Sequence, residues 1–285
     1  MLRLSKGSLV IILALGLRAE MFLPLMIHDA RTFSLGNPRL VLVSGPAAVS
    51  VNPTRISSPR PSLYASHNFW LLGTRKEHLA VSSSISIVDY GLSVEYFDYG
   101  DLEHYPDYPS EDPSGKFPAF DFFMTPGLSI KIPNGHLGFN ISYLYELIFD
   151  QSYSTYCIDL VLDYEPHPDL DLIIGLTDFN PGIVKDTSRY FPPVVLGGGV
   201  ELRLKVLSIA GEVGYLIHSE DMIGSVGVEY RYHPILFRAG LFYLDRVIPT
   251  LGIGYVYKNI TIDLGLAQHS YNLGRTEHLG LGIRF

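Results

Sequence analysis

The chain has 285 residues, with ten histidines, 29 carboxylates and a single cysteine, Cys157. A hydrolase needs a serine, a histidine and an orienting polar group at one place. His67, His269 and His278 could meet a serine at a rim, yet no spacing singles them out. Gly-x-Ser-x-Gly, the Walker phosphate loop, Cys-x-x-Cys and His-Glu-x-x-His do not occur. Gly197-Gly198-Gly199 lacks the following helix that a phosphate loop requires, and reads as close packing or a bend in a sheet. His167, between two prolines, and His233, before Pro234, read as turn residues rather than metal ligands. Residues 101–112 are acidic, aromatic and proline-rich but lack the alternating Asp spacing and central Gly of a calcium loop. They read as a solvated loop, with a partner surface as the alternative. No catalysed reaction, cofactor or metal site is expected.

The elements around these residues are more informative. Charged residues make up 18% of the chain, below the roughly 25% of an average soluble domain, and mean hydropathy is +0.20. Net charge is -8 and no Lys/Arg block occurs, which argues against a nucleic-acid partner. The lone cysteine cannot form an internal disulfide. Beyond the first residues no uncharged apolar run approaches the roughly 18–20 residues of a membrane-spanning helix. A basic start (Arg3, Lys6) followed by the apolar run 8–17 predicts a signal peptide over 1–19, with an end as late as about residue 30.

From residue 62 onward apolar residues recur at every second position, as in Ile260-Ile262-Leu264-Leu266 and Leu137-Phe139-Ile141-Tyr143-Tyr145. Turn signals cut 62–285 into about fourteen such runs, each of about ten to twelve residues. Even-numbered connections are tight, and the longest connections are odd-numbered. The turns at 133–135, 166–168, 206–207, 233–234 and 258–259 are tight, whereas 101–116, 178–193 and 269–275 are long. Short turns at one end and long loops at the other mark a barrel inserted from the periplasm. Leu279, Leu281, Ile283 and Phe285 alternate up to a terminal aromatic, the pattern of a barrel-insertion signal. The prediction is all-β: a closed transmembrane antiparallel barrel of about 14 strands over 62–285, in the outer membrane of a diderm bacterium. Tyr145, Tyr164, Tyr230, Tyr232, Tyr255 and Tyr257 fall near strand ends on the apolar phase, where headgroups would lie.

Residues 30–61 are full of breakers, such as Gly36-Asn37-Pro38 and Asn52-Pro53, yet are too apolar for a linker. Irregular backbone at membrane depth must be surrounded by protein. The segment is therefore expected to fold into the lumen as a plug or hatch. Lumen-phase charges of both signs, Glu95, Glu146, Asp159, Glu201, Glu212 and Glu229 against Arg203, Arg231, Arg238, Lys258 and Arg284, then read as structural ion pairs rather than a selectivity ring.

Ala30-Arg31-Thr32-Phe33-Ser34-Leu35-Gly36, Ala47-Ala48-Val49-Ser50-Val51-Asn52-Pro53, Ser62-Leu63-Tyr64-Ala65-Ser66-His67 and the run 92–100 resemble the PorV/PorQ family of FadL-like outer-membrane barrels. Thr54 stands where that family has Ala, and Asn37-Pro38 interrupts its Gly-Gly-Ala. The resemblance implies fourteen strands, an N-terminal hatch with Gly36, Asn52 and Pro53 as its motif, and a non-enzymatic part in type IX secretion or surface attachment of exported proteins. Secretion-machinery or cargo proteins would then be its partners. Ile183, Val184, Tyr190 and Phe191, apolar residues in a long loop, would serve as the partner surface or a lid. The alternative is a FadL-like transporter of hydrophobic small molecules.

Overall fold

In the computed structural model, residues 28–100, 102–105, 112–185, 188–269 and 274–285 are described. The expected signal peptide lies outside them. Alternation becomes strand throughout. The first six strands are β1 (Ser62–Phe69), β2 (Arg75–Ile85), β3 (Val88–Asp98), β4 (Leu102–His104), β5 (Gly115–Phe117) and β6 (Ala119–Ile132). Next come β7 (Gly135–Ile148), β8 (Gln151–His167), β9 (Leu170–Phe179), β10 (Ile183–Lys185), β11 (Ser188–Tyr190) and β12 (Val195–Arg203). The last six are β13 (Leu207–Leu216), β14 (Asp221–Tyr232), β15 (Ile235–Tyr243), β16 (Val247–Tyr257), β17 (Ile260–Gln268) and β18 (Arg275–Arg284). β4–β5 and β10–β11 are separate hairpins, and the other strands form one closed antiparallel barrel in chain order.

Closure is made by β1 against β18, in register from Ser62↔Arg284 to Phe69↔Glu277. It leaves no strand edge unpaired in a medium that offers backbone groups no partner. The barrel strands range from 8 residues in β1 to 17 in β8, wider than the even repeat predicted. In each strand the apolar phase points outward, so that Leu79, Leu128, Leu160, Ile174, Leu251 and Ile262 lie on the lipid-facing surface. This is a multi-pass β-barrel of the bacterial outer membrane.

Every even-numbered connection is tight and the longest connections are odd-numbered, although the odd-numbered turn 149–150 is equally short. Even-numbered ones occupy 86–87, 133–134, 168–169, 204–206, 233–234 and 258–259, and both hairpins sit in odd-numbered ones. The tight-turn end is the periplasmic, inner end. Tyr164, Tyr230, Tyr232, Tyr255 and Tyr257 form an exposed belt there. Tyr145 instead joins Phe120 and Tyr96 at the outer end, with ring centroids 6.1 and 5.3 Å apart along the row.

Residues 28–61 precede β1 and form two short helices, α1 (Ala30–Ser34) and α2 (Arg39–Leu42), and two 3-10 turns, Gly45–Ala48 and Pro53–Arg55. Helix α1 packs on β15–β18, α2 on β9, β12 and β13, Gly45–Ala48 on β1–β3, and Pro53–Arg55 on β6–β8. An irregular segment that touches the wall on all sides lies within the ring. Its apolar residues, among them Leu35, Val41, Val43, Val49 and Ile56, are fully buried.

Candidate functional site

The lumen and the segment filling it are the site. Asp29 caps α1, accepting from the backbone N–H groups of Arg31 (3.2 Å) and Thr32 (3.1 Å). Gly36 follows with φ +84°, a conformation that side chains disfavour. A Cβ there would also stand 2.5 Å from Leu241 O and 2.7 Å from Val226 O in the wall. Asn52 accepts from Thr54 N (2.9 Å), which shapes the turn begun by Pro53, and its Nδ2 donates to Leu40 O. Gly138 of β7 lies flush against Pro53 and Thr54, and Gly199 against Val41. Gly197 and Gly199 of the triple glycine are thus a packing surface for the segment, against Leu40 and Val41.

At the inner end arginines of the segment enter clusters of wall carboxylates. Arg55 faces Asp163 (2.9 Å), Asp171 (2.5 Å) and Glu201 (3.3 Å), and Arg203 joins Asp171. Arg31 pairs with Glu229 (2.9 Å), which also holds Arg238, and Arg238 reaches Asp263 (2.6 Å). Burial opposes the charge on Arg31 and Arg55, but the carboxylates more than offset it and hold both pKa values above the ordinary arginine value. Glu212 uses its carboxylate differently, accepting from Leu40 N (2.8 Å) and Val41 N (3.3 Å) at the start of α2.

The outer end carries two apolar clusters beside buried charge, including Arg39 of the segment 3.4 Å from Asp178 near the end of β9. Phe97, Phe123 and Leu144 pack with Trp70, Tyr99 and Tyr153. Across the mouth Val195, Leu216 and Ile223 pack with Phe242 and Leu244. Asp121 and Glu146, paired in register, form a polar rim beyond the first group. Beside it, His78 and His278 are fully buried with no hydrogen bond to either ring nitrogen. His78 stacks on His28 and His278 on Phe33, both at 3.6 Å between centroids. Lys76 Nζ lies 2.7 Å from Glu95.

The three histidines that could have met a serine are not assembled. His67 is on the lipid-facing wall, 2.5 Å from Glu77, while His278 faces the lumen and His269 contacts Thr276 Oγ1 (3.2 Å) in a loop. His67 and Glu77 border a groove of about 680 Å³ on the outer wall at the β18–β1–β2 seam, where Ala65 and Gly280 leave room. Ile183 pairs with Tyr190, and Val184 with Arg189, in the hairpin β10–β11. Phe191 stacks on His218 at 4.4 Å. Leu279, Leu281 and Phe285 lie on the exposed face of the closing strand, and Ile283 shares their phase. Lys258 is in an inner turn over the Tyr257 ring (5.2 Å) rather than in the lumen, and Arg284 is exposed at the strand end.

No family model and no curated protein matches the chain. Solved structures do. The toluene transporter TodX of Pseudomonas putida is similar with a TM-score of 0.67 at 11% identity, covering 92% of this chain and 99% of its own. The monoaromatic hydrocarbon channel CymD is similar with a TM-score of 0.64 at 12% identity, covering 92% and 98%. At such identity the likeness establishes the fold, a barrel shared with transport proteins, in keeping with the expectation of no catalysed reaction.

The PorV/PorQ resemblance is corrected by this finding, and the type IX secretion role with its machinery or cargo partners falls with it. TodX and CymD, which match along almost the whole chain, are a toluene transporter and a monoaromatic hydrocarbon channel. The misleading residues have a physical explanation. Gly36 lies flush against a wall and Asn52 shapes a turn, tasks that any lumen-filling segment imposes.

Proposed function

We propose that the chain is an outer-membrane channel for small hydrophobic molecules, with residues 30–61 as its hatch and Gly36, Asn52 and Pro53 shaping the hatch's seat. The division of the lumen carries this reading. An apolar, aromatic layer around Trp70, Phe97, Phe123 and Leu144 lies toward the cell exterior, while the arginine clusters that each gather several carboxylates or cations, around Arg31 and Arg55, hold the segment at the periplasmic end. A hydrophobic solute reaching the mouth meets carbon surface and leaves water there. Passage further inward requires the hatch to shift, which exchanges its ion pairs for water. The likeness to TodX and CymD supports the same class of solute. The loop bearing Ile183, Val184, Tyr190 and Phe191 belongs to the outer mouth in this reading, its base tied by Asn180 Nδ2 donating to Pro192 O (3.1 Å).

The test is accumulation of labelled toluene by cells of a diderm host that lacks its own hydrocarbon channel. Cells producing this chain should take it up several-fold faster than cells producing a Trp70→Ala variant or carrying an empty vector. Uptake equal to the empty vector, with folded barrel present in the outer membrane, would overturn the reading.

A further inference from the structure

Beside the seat of Arg55, at the inner mouth, three side chains converge with polar atoms left over. His136, at the start of β7, pairs across the ladder with Asp163 of β8. Glu165 lies two residues further along β8, on the same lumen-facing side. One ligand atom from each lies within 4.8 Å of the other two. Asp163 is 1% exposed on its side chain, and its Oδ1 makes no hydrogen bond, nor does Nδ1 of His136. Buried polar atoms in this state call for a partner, such as a water or an ion. Charge agrees. Asp89, Asp163, Glu165, Asp171 and Glu201 gather around His136 and Arg55, against the cations Lys131, Arg55 and Arg203. Negative charge is in excess.

The geometry points to a divalent first-row transition ion, of the Zn²⁺ kind, bound at the periplasmic mouth by His136, Asp163 and Glu165, with water completing its shell. One imidazole nitrogen and two carboxylate oxygens form a borderline donor set that suits Zn²⁺, which often takes three protein ligands and a water. Ca²⁺ favours six to eight oxygens, and Mg²⁺ keeps most of its water. The buried cluster of His28, His78 and Glu95 is a poorer host. Its two rings are stacked, so their in-plane lone pairs do not converge. The site stands independently of the channel reading, because it rests on wall residues alone. Its position has a consequence for the hatch: Asp163 also holds Arg55, so the ion and the segment draw on one carboxylate.

The test is calorimetric titration of the purified, chelator-stripped chain in detergent with Zn²⁺ alone, then with Ca²⁺ alone. One equivalent of Zn²⁺ should bind, and Ca²⁺ should bind far more weakly. His136→Ala should weaken Zn²⁺ binding at least about tenfold, Glu165→Gln should also weaken it, and His28→Ala should leave it unchanged. If His136→Ala does not fold, as judged by its mobility before and after heating, Glu165→Gln decides. Absence of Zn²⁺ binding, unchanged affinity in the variant that decides, or loss in His28→Ala would each overturn the proposal.

Discussion

At the inner end of the lumen, Arg55 stands among Asp163, Asp171 and Glu201. At the outer end, Phe97, Phe123 and Leu144 touch one another and Trp70. Both ends are buried, yet they resist change for different reasons. An apolar cluster that loses a member retains its remaining contacts and forms a cavity. A charge cluster that loses its central cation leaves carboxylates in a place where water cannot easily reach them. The inner end should therefore be brittle and bind the segment to the wall. The outer end can adapt to a solute, and its failure should stay local.

The largest expected effect breaks the inner end. Arg55→Ala removes the cation shared by three carboxylates and should cost about 3–5 kcal/mol, the cost of breaking a buried ion pair from one side. Thermal unfolding in detergent should show the loss, and residues 28–61 should become open to protease. Next in size is Leu144→Ala, whose side chain is fully buried at the outer end. It should cost about 2–5 kcal/mol as a cavity, while the segment stays protected from protease. If Leu144→Ala exposes the segment as fully as Arg55→Ala does, the two ends are not distinct.

Much of this contrast was legible in the sequence, though only half of its chemistry. The alternation in Ile260-Ile262-Leu264-Leu266 and the sorting of turns by length gave all fourteen barrel strands, because lipid outside and a filled lumen inside enforce period two. Lumen carboxylates such as Glu201 and Glu229 were also visible, since they fall on the phase opposite the apolar one. The strand phase points to partners on the wall, where Arg203, Arg231 and Arg238 do take part. Arg31, Arg39 and Arg55 were missed. The available signal was that residues 30–61 contain four arginines and no carboxylate, so a buried segment of this kind must find its counter-charges across the lumen. The meeting of His136 with Asp163 depends on register between strands, which neither strand's own pattern reveals. The family was misjudged for a related reason: short motifs in the segment report how it packs, and different barrels pack such segments alike.

A smaller effect tests whether shape as well as charge seats the segment. Gly36→Ala should cost about 1–3 kcal/mol, because the new Cβ meets wall backbone and φ is unfavourable for a side chain. Protease access to residues 28–61 should rise, but less than in Arg55→Ala. Equal access in the two variants would show that fit, rather than charge, dominates the seat.

The smallest effect concerns the outside of the wall. His67 and Glu77 form a hydrogen-bonded pair at the level of Tyr96, toward the outer headgroups, with side chains 33% and 50% exposed. An exposed pair of this kind gains little, because two side chains must be held in one geometry where other polar partners can replace the contact, so His67→Ala should shift stability by under about 1 kcal/mol. Its backbone neighbours in β2 and β18 remain paired whatever the side chain, and His67 points away from the segment. Unfolding temperature and protease access should both match the unaltered chain. A loss comparable to that of Arg55→Ala would mean that the lipid-facing seam transmits strain to the lumen, and the division between a brittle inner seat and an adaptable outer mouth would have to include the wall between them.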